Sequence, residues 1–239
     1  MASFRPIGFS TGALALGDLP RALELLREHP SVTAVELSAL RYDELPVLLA
    51  LLPSLDLRQF THISVHAPSA FTQMQEADVL AQLHSQAYPI VVHPNVLYTV
   101  AEWRKFGDRL RIENMDNRKP LGQTAADLRR IFQLFPEARF CFDVGHARQI
   151  DPSMGEAQRF LDLCGDRLAE IHISEVNEAS RHLPLSPAAI QDFFQLAIPD
   201  NIPAIIESQL DQRPHLASQE LTNARDALRH PTQPFSLNR

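Results

Sequence analysis

Cysteine is almost missing from this chain: Cys141 and Cys164 are the only two thiols in 239 residues. A framework of disulfides is therefore excluded as the source of stability. Basic excess is missing as well. Lys and Arg number 22 against 29 Asp and Glu, for a net charge of -7. That balance disfavours a nucleic acid as the main partner, although a local basic patch can sit inside an acidic total. Long apolar runs are absent. The longest, Leu45 to Leu57, is interrupted by Pro46, Pro53 and Asp56 and is too short to span a bilayer. The opening MASFRPIGFSTG has no apolar segment of signal-peptide type. These absences lead us to expect a cytoplasmic protein with no membrane partner. No glycine-rich loop follows the first strand-like run, which counts against a dinucleotide-binding open sheet.

What is present is a regular alternation. Short runs rich in Val, Ile or Phe read IGFST (7–11), AVELS (34–38), HISVHA (62–67), PIVVH (89–93), RLRIEN (109–114), RFCFDVGH (139–146), LAEIHIS (168–174) and IPAIIES (202–208). Such runs suit strands buried on both faces. Helical patterns separate them. Asp18-Leu19-Pro20 opens one, Thr124 with Asp127 forms a capping pair before LRRIFQLF, and Asp151-Pro152 opens the next. Ser186-Pro187 caps AAIQDFFQLA, and a last helix spans 218–229. Strands alternating with helices imply βαβ units and a parallel sheet. Eight of them, in a chain near the roughly 250 residues typical of such folds, imply closure into a single (β/α)8 TIM barrel. The rival is an open doubly wound sheet. No linker interrupts the pattern, so we expect one α/β domain over 1–239, with 230–239 a loose tail.

The ionisable residues gather at or just past the C-terminal ends of these strands: Glu36, His66, His93, Glu113, Asp143, His146, His172 and Glu207. In a barrel those ends converge on the active-site face. Side chains alternate along a strand. If Glu113 points inward, so does Arg111. By the same parity Cys141 lies under Asp143, Glu170 under His172 and Ile205 under Glu207. The outward set is then Phe140, Phe142, Ile171, Ile173 and Ile206, all apolar. The parity predicts that Arg111 and Glu170 pair inside the barrel, below the site, where neither charge is tolerated alone. Carboxylates from Glu113, Asp143 and Glu207 would crowd together and could not all ionise without a cation. Mixed imidazole and carboxylate ligands suit Zn, Mn, Fe or Co better than Ca. Asp143-Val-Gly-His146 sets two potential ligands three residues apart, with Gly145 permitting a tight turn. A lone strand-end histidine is more often a satisfied core residue. His62, at the start of its strand, is read as structural, and His29, His84, His215 and His230 as surface residues.

At SVHAP, VVHPN, RIENMDN, FDVGHA, EIHISEVN and AIIES the sequence resembles the xylose isomerase-like TIM-barrel superfamily, over nearly the whole chain. That group includes sugar and sugar-phosphate isomerases and epimerases, and the endonuclease IV class of abasic-site nucleases. The isomerase branch implies that Glu113, Asp143, His172 and Glu207 hold one divalent ion, Mn2+, Zn2+ or similar. It also implies that Glu113 and Glu207 exchange a proton beside a carbonyl through an enediolate. Glu36, His66, Asn114 and Arg148 are then expected on the substrate, a small carbohydrate. The nuclease branch implies that His66, His93, Glu113, Asp143, His146, His172, His182 and Glu207 match ligands of a three-metal cluster. That branch expects an Asp two residues before its last histidine, where this chain has Ser180. It also carries Asn-Asp after strand seven, where this chain has Ser174-Glu175.

The leading expectation is a metal-dependent isomerase or epimerase of a small sugar, sugar phosphate or related polyol, with one to three ions. The alternatives are a multi-metal phosphoester hydrolase and a barrel that binds metal or ligand without turnover. Arg148, Arg181 and Lys119 are candidates to reach a phosphate. Trp103 and Phe71 are candidates for either a substrate wall or core packing.

Overall fold

A computed structural model describes residues 5–229. Its strands in chain order are β1 (Ile7–Ser10), β2 (Ala34–Ser38), β3 (His62–His66), β4 (Ile90–Val92), β5 (Leu110–Glu113), β6 (Arg139–Asp143), β7 (Leu168–Ile173), β8 (Glu175–Val176), β9 (His182–Leu183) and β10 (Ala204–Ile206). Eight of them close into a parallel barrel in the order β1-β10-β7-β6-β5-β4-β3-β2. Closure is direct, because β1 pairs with β2 on one side and β10 on the other. The open-sheet alternative is thereby removed. The two-residue strands β8 and β9 form a small antiparallel hairpin beyond β7.

Helices α1 (Thr11–Ala15), α2 (Leu19–Arg27), α3 (Glu44–Leu51), α4 (Glu76–His84), α5 (Val100–Trp103), α6 (Ala125–Leu134), α7 (Val144–Ile150), α8 (Gly155–Cys164), α9 (Pro187–Phe194) and α10 (Ala217–Ala227) surround the strands. Three expected caps are formed. Asp18 accepts from Arg21 N, Thr124 exchanges bonds with Asp127, and Ser186 accepts from Ala189 N. Each satisfies an N–H that has no partner within its own helix. Among the described residues, no helix is long and apolar enough to cross a membrane. The last helix lies close to its expected span, ending at Ala227 instead of residue 229. The expected tail, 230–239, and His230 lie outside the described residues.

One helix boundary differs from expectation. A helix does not wait for Asp151-Pro152; α7 begins immediately after β6. The cause is Asp143, whose Oδ1 accepts the His146 N–H at 2.7 Å and caps the new helix. Pro152 instead ends α7, since the residue before a proline avoids the helical region, and Asp151 is extended at φ -137°, ψ 94°. The Asp151 carboxylate then accepts from Ser153 N and Glu156 N, organising the start of α8. Gly145 is needed for a close approach inside α7. A Cβ there would stand 2.4 Å from the Ser174 carbonyl oxygen.

The apolar core lies between strands and helices. Phe140 packs against Phe132 of α6 and Phe160 of α8, with ring centroids 6.1 and 5.8 Å apart, and Phe142 also meets Phe160. Burying such a side chain stabilises the fold by roughly 2–3 kcal/mol. Phe142, Ile171, Ile173 and Ile206 join this cluster, whereas Cys141 and Ile205 are buried but stay out of it. The parity is therefore the one expected. Inside the lower barrel, Glu170 is fully buried and accepts from Arg111 and from Ser64 Oγ at 2.7 Å. His62 Nε2 stands 3.3 Å from the same carboxylate, so Arg111 and Glu170 do pair and His62 joins them. Trp103 is core, its Nε1 donating to Glu76 at 2.8 Å. Phe71 is also buried and meets Tyr98 edge to face.

Candidate metal centre

The register of neighbouring strands brings the acidic ends together. Asp143 at the end of β6 lies beside His172 of β7, and Ile205 of β10 lies beside His172 on its other side. Glu207 follows two residues later. Glu113 ends β5, next to Cys141 of β6. The result is a central group in which ligand atoms of Glu113, Asp143, His172 and Glu207 all lie within 4.8 Å of one another. His172 Nδ1 is 3.2 Å from Glu113 Oε1 and 3.4 Å from Glu207 Oε1.

Three further groups share members with the first: one joins Glu36 and Glu170 to His172, and two flank the centre. His66 and His93 bring their Nε2 atoms to 3.4 and 3.1 Å from Glu113 Oε2. Asp143, His146 and His182 form the other, with His146 Nδ1 3.4 Å from Asp143 Oδ2. Thus every one of the eight expected ligands is brought into one constellation. His66 donates from Nδ1 to its neighbour's carbonyl, Ala67 O, at 2.7 Å, which leaves its Nε2 facing Glu113. His146 Nδ1 likewise bonds Asn114 O at 2.9 Å.

The charges of this constellation are poorly balanced without a cation. Burial, with the Glu207 and Glu113 charges added, pushes Asp143 up to about 8. Burial opposes a charge on His66, yet Glu36, Glu113 and Glu207 raise it to about 9. Burial likewise opposes a charge on His172, but Glu207, Glu36 and Glu113 hold it well above the usual imidazole range. His182 falls to about 4 through burial. Glu113 and Glu207 lie below the usual carboxylate range: burial acts against them and His172 outweighs it.

The donor set fits a divalent ion of the Zn or Mn kind. Six buried polar atoms here have no hydrogen-bond partner: Glu36 Oε2, His93 Nδ1, Glu113 Oε2, Asp143 Oδ2, His146 Nε2 and His172 Nε2. Buried polar groups are almost always satisfied, so a concentration of orphans among imidazoles and carboxylates is the mark of missing ligand bonds. Glu113, Asp143, His172 and Glu207 would hold a central ion.

Three of the residues expected on a substrate are engaged elsewhere. Asn114 is fully buried and its amide is spent on Asp143, donating to the backbone carbonyl and accepting from the backbone N–H, both at 2.8 Å. Arg148 pairs with Asp192 at 2.8 Å and Glu175 at 3.3 Å, tying α7 to α9 and the hairpin. Glu36 is fully buried on the far side of His172, 3.1 Å from its Nε2. His66 alone of that set faces the constellation. Lys119 bonds Ser69 O at 3.3 Å and its charge bears on His93. Ser180, where an Asp ligand would be needed, is buried and bonds Asn117 and Gln149.

Asp116 was not singled out from the sequence. It is fully buried, bound by Arg118, and its Oδ2 stands 4.0 Å from His146 Nε2. It lies three residues beyond Glu113, in a loop, so strand alternation gives no hint of it. The only signal was a second acid in RIENMDN.

No protein-family model matches the sequence, and no curated protein matches it. Solved structures do resemble it. A xylose isomerase-like TIM barrel protein from Mycobacterium smegmatis, in complex with magnesium, is 14% identical with a TM-score of 0.57. The match covers 95% of this chain and 98% of that one. A sugar phosphate isomerase/epimerase from Parabacteroides distasonis is 13% identical, with a TM-score of 0.50 over 95% of each chain. At this identity the likeness establishes the fold alone, a TIM barrel. It leaves the chemistry to be argued from the site.

Proposed function

We propose that this protein is a divalent-metal-dependent isomerase or epimerase acting on a small sugar, sugar phosphate or related polyol. One observation carries the reading: Glu113 and Glu207 reach the same nitrogen of His172 from β5 and β10, with β6 and β7 between them. Two carboxylates arriving from different sides of one centre can take a proton from one face of a bound carbon and return it to another. A bound cation would supply Lewis-acid polarisation of substrate oxygens. Glu207 is the more open of the two, its side chain 13% exposed against 1% for Glu113. Glu207 therefore faces the solvent side of the centre and Glu113 its interior. His66 would bind a substrate oxygen through Nε2, the nitrogen left free by its bond to Ala67. The likeness to the Parabacteroides sugar phosphate isomerase/epimerase and to the magnesium-bound Mycobacterium protein supports this reading. The test is metal-loaded protein on a panel of ketoses and their phosphates in deuterated water. Turnover with deuterium entering beside the carbonyl, lost in Glu113→Gln and Glu207→Gln, is the expected result. Full activity in both variants would end the mechanism.

A second reading, a multi-metal phosphoester hydrolase, is favoured by the two flanking groups. His66 with His93, and His146 with His182, are more than a one-ion centre needs. Two or three ions per chain, with cleavage of abasic-site DNA and no ketose turnover, would select it. Ser180 provides no carboxylate for a third ion.

A further inference from the structure

We infer that Glu36 is a positioning residue that keeps the proton of His172 on Nε2, so that Nδ1 presents a lone pair to the centre. The inference rests on the metal centre proposed above and holds for either reaction there.

The His172 ring is fully buried between two sets of carboxylates. Its Nδ1 edge is hydrogen-bonded to Glu113 Oε1 at 3.2 Å, the bond a cation would replace, and faces Glu207 at 3.4 Å. Its Nε2 edge faces Glu36 Oε2 at 3.1 Å and Glu170 Oε1 at 3.6 Å. A neutral imidazole has one N–H and one lone pair, and only the lone pair can bind a cation. If Nδ1 is the ligand, Nε2 carries the proton, and that buried N–H needs an acceptor. Metal-binding histidines commonly use a carboxylate for this, which fixes the ring and raises its basicity.

The two acceptors on offer are unequal. Glu170 is already bound by Arg111, Ser64 and His62. Among the described residues Glu36 has no ion pair with Lys or Arg, and its Oε2 has no hydrogen-bond partner. Its only other bond is from the Ser38 hydroxyl to Oε1, at 3.4 Å. Ser38 is in turn 2.6 Å from Ser10, so the carboxylate sits at the end of a short hydroxyl chain. His172 Nε2 is itself without a hydrogen-bond partner: the 3.1 Å contact is close but not aligned. A modest rotation of the ring satisfies both orphans at once, and a ligand bond at Nδ1 would fix that rotation. Glu36 is fully buried, with the His172 ring between it and both Glu113 and Glu207, so it acts through His172 and not on a substrate.

Two measurements on Glu36→Gln and Glu36→Leu test this. Titration calorimetry with Mn2+ or Zn2+ should show affinity about 10- to 100-fold weaker for Glu36→Leu, and a smaller loss for Glu36→Gln, which keeps an acceptor oxygen. Nitrogen-15 NMR of histidine-labelled, cation-free protein should show a protected N–H at His172 Nε2 in the wild type, whether the ring carries one proton or two, and lose it in Glu36→Leu. If Glu36→Leu fails to fold, the near-isosteric Glu36→Gln carries the test: its Nε2–H resonance should shift and its affinity should fall. Wild-type affinity in folded Glu36 variants, or a wild-type His172 with no proton on Nε2, would overturn the inference. A wild-type chain that binds no divalent ion would instead overturn the proposed function, because the NMR measurement needs no metal.

Discussion

The interior of this barrel has two levels, and they treat charge in opposite ways. At the lower level Glu170 is met by Arg111, Ser64 and His62, so a buried charge is neutralised by the chain itself. At the upper level Glu113, Asp143 and Glu207 have only histidines among them, and six polar atoms in and around them lack partners. The lower level is complete as folded. The upper level leaves those atoms open to a ligand. Stability and function are thereby separated along the same strands, often by two residues: Arg111 and Glu113, Cys141 and Asp143, Glu170 and His172.

That contrast can be broken by mutation. Glu113→Gln removes a carboxylate shared by two candidate metal groups. Turnover should fall by about 100- to 10,000-fold, and atomic absorption should find fewer ions per chain, with the melting temperature of the cation-free protein little changed or raised. Arg111→Met should do the reverse. It strands Glu170 in the interior and should cost about 3–5 kcal/mol in chemical denaturation, while the number of ions bound per folded chain is unchanged.

Removing the cation should sharpen the contrast next. Dialysis against chelator should lower stability by about 4 kcal/mol relative to protein held at a thousand times its dissociation constant. The loss should grow with pH. Asp143, ordinarily at 3.8, is raised to about 8, so the folded state binds more protons than the unfolded state between those limits. His66, raised from 6.5 to about 9, adds stability that is present below 6.5 and lost as pH rises through 9. Both signs agree: cation-free protein should melt at lower temperature from pH 6 to 9, and metal-loaded protein should be much flatter. A flat profile for both forms would remove the electrostatic account. The smallest effect should come from Asn114→Ala, which frees the Asp143 backbone from its two bonds. A loss of about 1–3 kcal/mol in stability, with weaker metal binding, is expected by calorimetry.

Strand alternation made much of this legible. The parity that put Arg111 beneath Glu113 also put Glu170 beneath His172, and the two meet in the barrel. The capping pair Thr124 and Asp127 and the Ser186 cap were equally readable, because a cap acts over three residues. The start of α7 was not, because Asp143 reads as a strand-end ligand and also serves as a cap. The substrate expectations for Asn114, Arg148 and Glu36 rested on position near the centre. Position does not say which partners reach a side chain first: the Asp143 backbone, Asp192 with Glu175, and His172 did so.

The sequence by itself determined the alternating strands and helices, the side of each strand that is polar, and the stock of imidazoles and carboxylates at one end. Those are local properties, set by periods of two and by neighbours a few residues apart. Only the tertiary structure decided that Glu113 serves two groups at once, that Glu170 meets Arg111 while Glu36 meets His172, and that Asp116 comes within 4.0 Å of His146. Such facts depend on the stagger between strands far apart in the chain, and short-range patterns carry no record of that stagger.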